Sequence, residues 1–274
     1  MSVDTVSDDA LVVAARAGER AAIQSLLERY QDRIFGFGLR MCGDSEDAKD
    51  VLQETLLAAA RTVGSFRGDA SVSTWLYTIA RSFCIKQRRR GKFEPTDEIS
   101  LDGATFRIAT QTPGPDEQAA RDETKRAVVA ALESLEPAAR EIVILRDIEG
   151  LTAAEVAQVT GTSESAVKSR LHRARSMLRD RLASTLGDAP TPHAPGCPDV
   201  LSALSRQLEG ELEPQLCAQM QTHVEGCPAC RGRCESLKAT LSACAHASPG
   251  RVPESVRQSV WTALRDAQAQ TITT

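Results

Sequence analysis

The stretch LTAAEVAQVTGTSESAVKSRLHRARSMLRDRL, residues 151–182, has the pattern of two short helices joined by a tight turn. Thr152 and Glu155 are spaced as a capping box, in which each side chain accepts the other residue's backbone N–H and starts a helix. Gly161 permits the turn, and Ser163 is suited to cap the second helix. Apolar residues recur on one face of that helix at spacings of four, three and four: Val167, Leu171, Ala174 and Leu178. The pattern predicts an amphipathic helix behind a short one.

The other faces of the second helix carry basic and short polar side chains, as a recognition helix in the major groove of DNA requires. Short polar side chains near its N-terminus reach base edges, and arginines along it bind phosphates. A solvated basic helix is the alternative. The capping box, the glycine turn and the basic second helix occur together, however, and favour a DNA-binding helix-turn-helix. The candidate duplex-binding residues are Ser165, Lys168, Ser169, His172, Arg173 and Arg175.

The chain as a whole is predicted to be all-α, because helical periodicity is frequent and strand signals are scarce. Its 274 residues are enough for two or three modest domains. No apolar run approaches the roughly 18 residues of a membrane span, so we expect no membrane partner. The acidic start MSVDTVSDDA lacks the basic and apolar parts of a signal peptide. We therefore expect a cytoplasmic protein.

Charge and composition divide the chain into blocks. The net charge of -4 hides a run of six basic residues between 81 and 92, followed by an acidic, aperiodic stretch. A second interruption, at 186–198, is rich in proline. We expect a helical block at 8–92, an acidic linker at 93–118, the helix-turn-helix block at 119–186, a proline-rich linker at 187–196, a cysteine-rich block at 197–245, and an amphipathic helix at 251–270.

The end of the first block places aromatic residues among cations, which suits unpaired nucleic acid, since rings and guanidinium groups stack on bases while charges hold phosphates. The alternative is that the aromatic residues belong to the core. That alternative is favoured for Tyr77, and for Trp75 both interpretations stay open. The candidate residues for binding unpaired DNA are Trp75, Arg81, Lys86, Arg88, Arg89 and Arg90.

Three segments resemble the extracytoplasmic-function (ECF) group of bacterial sigma factors: DAKDVLQETLL (47–57), STWLYTIARSFCIKQRRR (73–90) and LEPAAREIVILRDIEGLTAAEVAQVTGTSESAVKSRLHRAR (135–175). The resemblance covers both helical blocks. It implies that the first block binds core RNA polymerase and melts the −10 promoter element, while the second reads the −35 element as duplex. It also implies that the acidic linker threads through the polymerase cleft.

The same resemblance implies roles for single residues. Residues 66–74 would form the loop that captures a flipped −10 base. Leu56 stands where the family usually has Phe, and Ser82 where an Asn is common, so the −10 preference is expected to be shifted. The residues that would face the polymerase are Asp47, Asp50, Gln53 and Glu54.

The stretch HVEGCPAC, residues 223–230, has the spacing of a metal site. Gly226 ends one helix and Pro228 suits the first turn of the next, so His223, Cys227 and Cys230 are expected to converge. Zinc prefers four tetrahedral nitrogen and sulfur ligands. The best fourth candidate is Cys197, in the similar opening GCPD, ahead of His193 and His246.

We expect one zinc ion with a structural or sensory role. A catalytic zinc would need an open position and a nearby general base, for which this ligand set leaves little room. The chain is therefore not expected to be an enzyme.

Cys197, LEGEL (208–212) and HVEGCPAC together resemble the zinc-binding anti-sigma domain, whose turn usually has the sequence Leu-Asp-Gly-Glu-Leu. In that family the domain is normally a separate protein that occludes a sigma factor. Here it is fused to its own target, so contact between this block and the sigma blocks is expected.

Four other features complete the prediction. Cys234 and Cys244 continue an apolar stripe, with a redox role beside Cys230 as the alternative. Cys217 is expected in the core, and Cys42 and Cys84 receive no role. The predicted function is a sigma factor that the third block regulates in cis, in response to metal or oxidation as a hypothesis. The alternative is a helix-turn-helix regulator that never binds core polymerase.

Overall fold

The computed structural model describes residues 6–91, 115–187, 196–247 and 251–270. Within these ranges every regular element is helical, which confirms the all-α fold. The α-helices are α1 (Asp8–Arg16), α2 (Arg20–Cys42), α3 (Ser45–Thr62), α4 (Val72–Gly91), α5 (Pro115–Glu133), α6 (Pro137–Val143), α7 (Ala153–Thr160), α8 (Glu164–Leu182), α9 (Val200–Leu208), α10 (Pro214–Gly226), α11 (Pro228–His246) and α12 (Glu254–Gln270). No helix in the described ranges is long and apolar enough to cross a membrane.

The chain forms two compact units. The first contains the described residues up to 91 together with 251–270, and the second contains those from 115 to 247. Most of the stretch predicted as an acidic linker lies outside the described residues, but residues 115–118 belong to α5. Residues 188–195 of the proline-rich linker also lie outside them.

The first unit is built around α2, against which α1, α3 and α4 pack. Ile34, Phe35 and Phe37 of α2 are fully buried. The helix ends because Gly43 adopts a left-handed conformation with φ of 80°. The Asp44 side chain then caps α3 by accepting hydrogen bonds from the backbone N–H groups of Glu46 and Asp47. This sharp reversal brings α3 back alongside α2.

A glycine permits the close approach of α2 and α3. A Cβ atom added to Gly38 would lie 3.1 Å from the Cα and 3.3 Å from the Cβ of Ala48. Both atoms are part of a rigid helix, so any side chain at this position would push the two helices apart.

The C-terminal helix α12 packs against α3 in the first unit. Val260 and Leu264 of its predicted apolar stripe are buried. Just before the helix, the backbone N–H of Val252 donates to Asp32 Oδ1 at 2.7 Å. The end of the chain is thus a structural part of the first unit.

The second unit begins with the helix-turn-helix. Thr152 and Glu155 form the predicted capping box at the start of α7, and Gly161 makes the turn with φ of 68°. Ser163 caps α8 by accepting the N–H of Ala166 at 3.2 Å. The apolar stripe predicted for α8 is fully buried. Before α7, α6 continues into a π-helical turn at Ile144–Ile148, a geometry that is common at functional sites.

Helices α9, α10 and α11 complete the second unit. Cys197, just before α9, lies beside His223 near the end of α10, so these two helices run antiparallel. Gly210 makes the turn between them with φ of 69°. Both α9 and α11 pack against α8, and α11 also contacts the π-helical turn. The cysteine-rich block and the helix-turn-helix therefore share one packed unit.

Candidate metal centre and nucleic-acid interface

Four potential ligand atoms converge at one end of the cysteine-rich block. The sulfur atoms of Cys197, Cys227 and Cys230 and a ring nitrogen of His223 all lie within 4.8 Å of one another. The two sulfurs of Cys197 and Cys227 are 3.8 Å apart, and His223 Nε2 is 3.3 Å from the sulfur of Cys230. In a zinc tetrahedron with Zn–S bonds of about 2.3 Å, adjacent sulfurs are about 3.8 Å apart. The four residues are those that the sequence predicted.

The convergence follows from where the helices begin and end. Cys197 precedes α9, and His223 lies in the last turn of α10. Cys227 is both the residue after α10 and the N-cap of α11, while Cys230 lies in the first turn of α11. Pro228 occupies the first position of α11, where its missing N–H has no cost.

The electrostatics of the cluster suit a bound cation. The backbone N–H of Cys230 lowers the pKa of the Cys227 thiol. Burial, together with the adjacent Cys197 and Cys227 sulfurs, raises the pKa of Cys230 to about 12. Three crowded sulfurs therefore cannot all ionise without a positive charge between them, and a divalent metal supplies that charge. The donor set of three thiolates and one imidazole fits Zn²⁺.

The competing ligand candidates do not join this cluster in the described part of the chain. His246 Nδ1 donates to the carbonyl oxygen of Ser242 at 2.7 Å. His193 lies outside the described residues.

The other cysteines occupy varied positions. Cys234 packs in the apolar cluster with Cys230, and Cys244 is fully buried. Cys217 is half-buried. Cys42 is half-buried, and a hydrogen bond with the buried Cys84 lowers its pKa.

The predicted duplex-binding residues of α8 divide between two faces. Ser165, Ser169 and Arg173 are exposed at helical spacings of four. Lys168 and His172 are half-buried, and the His172 Nδ1 atom is buried without a hydrogen-bond partner. The face of α8 that contains these two residues is partly covered.

Arg175 differs from its prediction as a DNA contact, because its side chain is only 1% exposed. Its Nη2 atom lies 2.5 Å from Asp147 Oδ1 and 2.6 Å from Glu209 Oε1, and its Nη1 donates to Ser205 Oγ at 3.0 Å. Burial lowers its pKa, but the two carboxylates outweigh burial and raise it overall, so the guanidinium stays charged. In this conformation Arg175 binds protein carboxylates and does not face a DNA duplex.

The buried ion pair extends into a charge-balanced network. Arg146 donates to Glu209 Oε2 at 2.9 Å and to the carbonyl oxygen of Leu208 at 3.2 Å. Arg146 and Asp147 both belong to the π-helical turn, which directs their side chains towards the turn after α9. Two arginines thus meet two carboxylates. The acidic residues of LEGEL were an available signal for these contacts, but the sequence analysis treated that segment only as a turn.

Lys168 lies between two carboxylates. Its ammonium nitrogen is 2.7 Å from Glu164 on the same helix and 3.2 Å from Glu211 in the turn after α9. Glu164 has the larger effect on Lys168, and together with Glu211 it raises the pKa of the lysine above its usual value. A side chain predicted to contact DNA is therefore already paired with the cysteine-rich block.

The four residues predicted to face polymerase lie on α3. Asp50 and Glu54 are exposed, while Asp47 and Gln53 are half-buried. Burial, with the nearby charges of Asp44 and Asp50, raises the pKa of Asp47. A cavity of about 160 Å³ opens beside them, lined by Asp50, Val51, Gln53, Glu54, Phe83, Lys86 and Gln87. The depression thus brings together Asp50, Gln53 and Glu54, whereas Asp47 lies on the same helix but is not among its lining residues.

The aromatic candidates of the first unit differ in their environments. Trp75 is half-buried and stacks on Phe66, with ring centroids 4.8 Å apart. Tyr77 is fully buried against Phe37, in agreement with its core interpretation.

The basic candidates beside them all lie on α4. Lys86 and Arg88 are exposed, and Arg81 is half-buried. The side chains of Arg89 and Arg90 lie outside the described residues.

Comparison with protein families identifies three segments. Residues 26–94 match the family "Sigma-70 region 2", and residues 125–178 match "Sigma-70, region 4". Residues 197–231 match the family described as "Putative zinc-finger". The third match contains all four converging ligands.

Similar proteins include the ECF RNA polymerase sigma factor SigM of Mycobacterium tuberculosis strain H37Rv, 37% identical over 66% of this chain and 85% of that protein. The RNA polymerase sigma-H factor of Pseudomonas aeruginosa is 31% identical over 66% of this chain and 97% of that protein. A solved structure of CnrH in complex with the cytosolic domain of CnrY is 28% identical, covers 65% of this chain and 97% of that one, and has a TM-score of 0.48. The chain belongs to the ECF RNA polymerase sigma factors and carries a zinc-finger-family module behind its two sigma regions.

Proposed function

We propose that the chain directs core RNA polymerase to promoters by dividing the work between its two units. Residues 8–92 act as the region that binds polymerase and melted −10 DNA, and residues 119–186 bind the −35 duplex. The segment 93–118 links them through the polymerase cleft. The observation that carries this proposal is the exposed stripe of Ser165, Ser169 and Arg173 on α8, the second helix of the capped helix-turn-helix.

The first unit supports the polymerase and −10 roles through its surface. The acidic and amide side chains of α3 (Asp47, Asp50, Gln53 and Glu54) present a negative surface for a basic partner helix, and the last three line the depression. The stacked pair of Phe66 and Trp75 offers a ring for an unpaired base, and the basic end of α4 binds the backbone. The residues assigned to melted DNA are Trp75, Arg81, Lys86, Arg88, Arg89 and Arg90.

The module at residues 197–245, reached through the linker at 187–196, is proposed to bind one zinc ion and to regulate the sigma regions in cis. When bound, zinc supplies a charge that holds three thiolates together and ties α9, α10 and α11. The module packs on α8 through α9 and α11, and Arg175 of α8 bonds to Glu209 of the module. Metal exchange or thiol oxidation would rearrange this contact and change transcription.

Core polymerase and promoter DNA provide the test. Promoter-dependent transcription is compared between the full chain, a chain ending at Gly187 and a chain ending at Gly250, which lacks only α12. A change on removing 188–250, in either direction, supports regulation in cis, and identical activity of all three contradicts it. Co-purification with core polymerase separates the sigma function from a regulator that binds DNA alone. Failure of every chain to bind core polymerase would contradict the sigma function.

A further inference from the structure

We propose that Glu211 of the zinc module inhibits duplex binding by occupying Lys168 in place of a DNA phosphate. Glu211 lies in the turn at residues 209–213, called the acidic turn, and would act as a built-in competitor of DNA. The inference rests on the proposed function and gives the regulation a direction: the module is a brake on the −35-binding region.

The first step is the position of Lys168. It lies one turn from Ser165 and next to Ser169, in the N-terminal half of α8 that a recognition helix presents to the groove. Its ammonium group is 3.2 Å from Glu211 Oε1. Carboxylate and phosphate oxygens are acceptors of the same kind for a lysine, so both cannot take the same donor in the same direction. Lys168 already pairs with Glu164 and Glu211, so a phosphate of duplex DNA must compete with Glu211 for the ammonium group.

The second step is the way in which Glu211 is held. An isolated exposed ion pair contributes little to stability, because two long side chains must be ordered to form it. Here the turn is anchored two residues earlier by Glu209, which is 3% exposed and bonded to both Arg175 and Arg146. The buried anchor orders the backbone that carries Glu211, so much of the ordering cost is already met by the fold.

The third step is the effect on electrostatics. Without the module, Lys168 would have one carboxylate partner, Glu164 of its own helix. With the module docked it has two, Glu164 and Glu211. DNA binding that releases counterions depends on available cations, and each lysine removed from phosphate contact lowers the salt slope by about 0.9. The docked module therefore weakens duplex binding in a salt-dependent manner.

The fourth step connects the brake to the metal centre. Cys197 and His223 meet at one end of the α9–α10 pair, and the acidic turn lies at the other end. The nine residues of α9 separate the two ends by about 13 Å. Metal at one end therefore maintains the helix pair that positions the acidic turn at the other.

The test uses the full chain and its anisotropy titration with a short fluorescein-labelled DNA duplex at several salt concentrations. Glu211→Gln is expected to tighten binding about 3- to 5-fold at low salt, with a smaller effect at high salt. Glu213→Gln is the matched control, because it removes the same charge from the same turn at the N-cap residue of α10, whose side chain makes no capping hydrogen bond. Equal effects of the two substitutions would reduce the contact to net charge and overturn the proposal.

A double-mutant cycle tests whether Glu211 acts through Lys168. In a Lys168→Ala background, Glu211→Gln is expected to leave affinity unchanged, and a persisting gain would overturn the proposal. Glu211→Asp keeps the charge but shortens the side chain, and it is expected to tighten binding as well. Zinc content and thermal unfolding of each variant identify any misfolded protein. If Glu211→Gln misfolds, the affinity of Glu211→Asp for the duplex tests the proposal instead.

Transcription with core polymerase distinguishes a failure of the inhibition by Glu211 from a failure of the proposed sigma function on which it rests. Glu211→Gln is expected to raise promoter-dependent transcription, whereas Glu213→Gln leaves it near that of the unmodified chain. If the full chain binds core polymerase and transcribes but Glu211→Gln changes neither affinity nor transcription, the brake is wrong and the sigma function stands. If the chain neither binds core polymerase nor transcribes, the proposed function itself fails.

Discussion

The indole N–H of Trp261 donates to Gln31 Oε1 at 3.0 Å, joining two residues 230 positions apart. Gln31 is only 8% exposed, so its side-chain carbonyl has little access to water. The bond fixes α12 on the first unit, in which α2 and α3 carry the sigma region 2 fold. Helix α12 is consequently part of the same compact unit as sigma region 2, although it follows the zinc-finger-family module in the chain.

Trp261→Phe is expected to destabilise the first unit by about 1–3 kcal/mol, because it leaves a buried acceptor without its donor. Thermal unfolding of the full chain measures the loss. A second substitution, Gln31→Leu, removes the acceptor as well and is expected to restore part of the stability. A double variant as unstable as the sum of its parts would show that the hydrogen bond is not responsible.

Gly38→Ala is expected to destabilise the first unit by about 1–3 kcal/mol through overpacking against Ala48. In a helix with no close neighbour, the same change would stabilise the protein by about 0.5–1 kcal/mol. The sign of the stability change therefore shows whether α2 and α3 approach closely at Gly38. Gly64→Ala is the control, because a Cβ at Gly64 meets nothing within 4 Å. Equal unfolding temperatures for the two variants would contradict the packing of α2 on α3.

Arg175→Met is expected to lower the stability of the second unit by about 3–5 kcal/mol, because it leaves two buried carboxylates with Arg146 alone. Arg173→Ala, at an exposed site two residues earlier, is expected to change stability by less than about 0.5 kcal/mol. Differential scanning calorimetry compares the two. If Arg175 served DNA rather than the fold, Arg175→Met would melt like Arg173→Ala and lose only affinity for the duplex.

The metal centre is expected to bind one zinc ion per chain, measured by elemental analysis of the purified protein. Cys227→Ser removes a ligand and is expected to lose the ion together with helical signal from residues 200–246, as a chelator would. Cys217→Ser, outside the four-residue cluster, is the control and should retain zinc. Because thiols must lose protons to bind metal, zinc affinity is expected to fall as the pH decreases. Zinc retained by Cys227→Ser would contradict this ligand set.

Asp47→Asn is expected to weaken binding to core polymerase by up to about 5-fold, equivalent to about 1 kcal/mol for one ion pair at the surface. The raised pKa of Asp47 means that its ionisation is disfavoured in the folded state. The ionised carboxylate therefore lowers the free energy of unfolding once the pH rises through the folded-state pKa. Removing the charge should therefore leave the unfolding temperature at neutral pH unchanged or slightly higher. A lower unfolding temperature would show that Asp47 is a structural residue.

The metal ligands and the helix-turn-helix were predictable because their signals are local. A capping box, a glycine turn and an apolar stripe each depend on contacts within a few residues, and they form in the structure where the sequence predicted them. Tyr77 also lies in the core and Cys197 converges with HVEGCPAC as predicted, although these contacts join residues far apart in the sequence. Proline and glycine positions set the helix ends that bring those ligands together.

The sequence by itself determined the all-α class, the two sigma regions and the four residues whose ligand atoms converge, and it supplied a set of candidate residues for DNA. Only the tertiary structure decided which of those DNA candidates remain exposed. Arg175 and Arg173 are alike in sequence, but α8 turns one towards Asp147 and Glu209 and the other towards solvent. Those partners lie 28 and 34 residues away, and helical periodicity contains no information about which distant element covers a given face. Burial beside Asp147 and Glu209 therefore distinguishes Arg175 from the exposed Arg173.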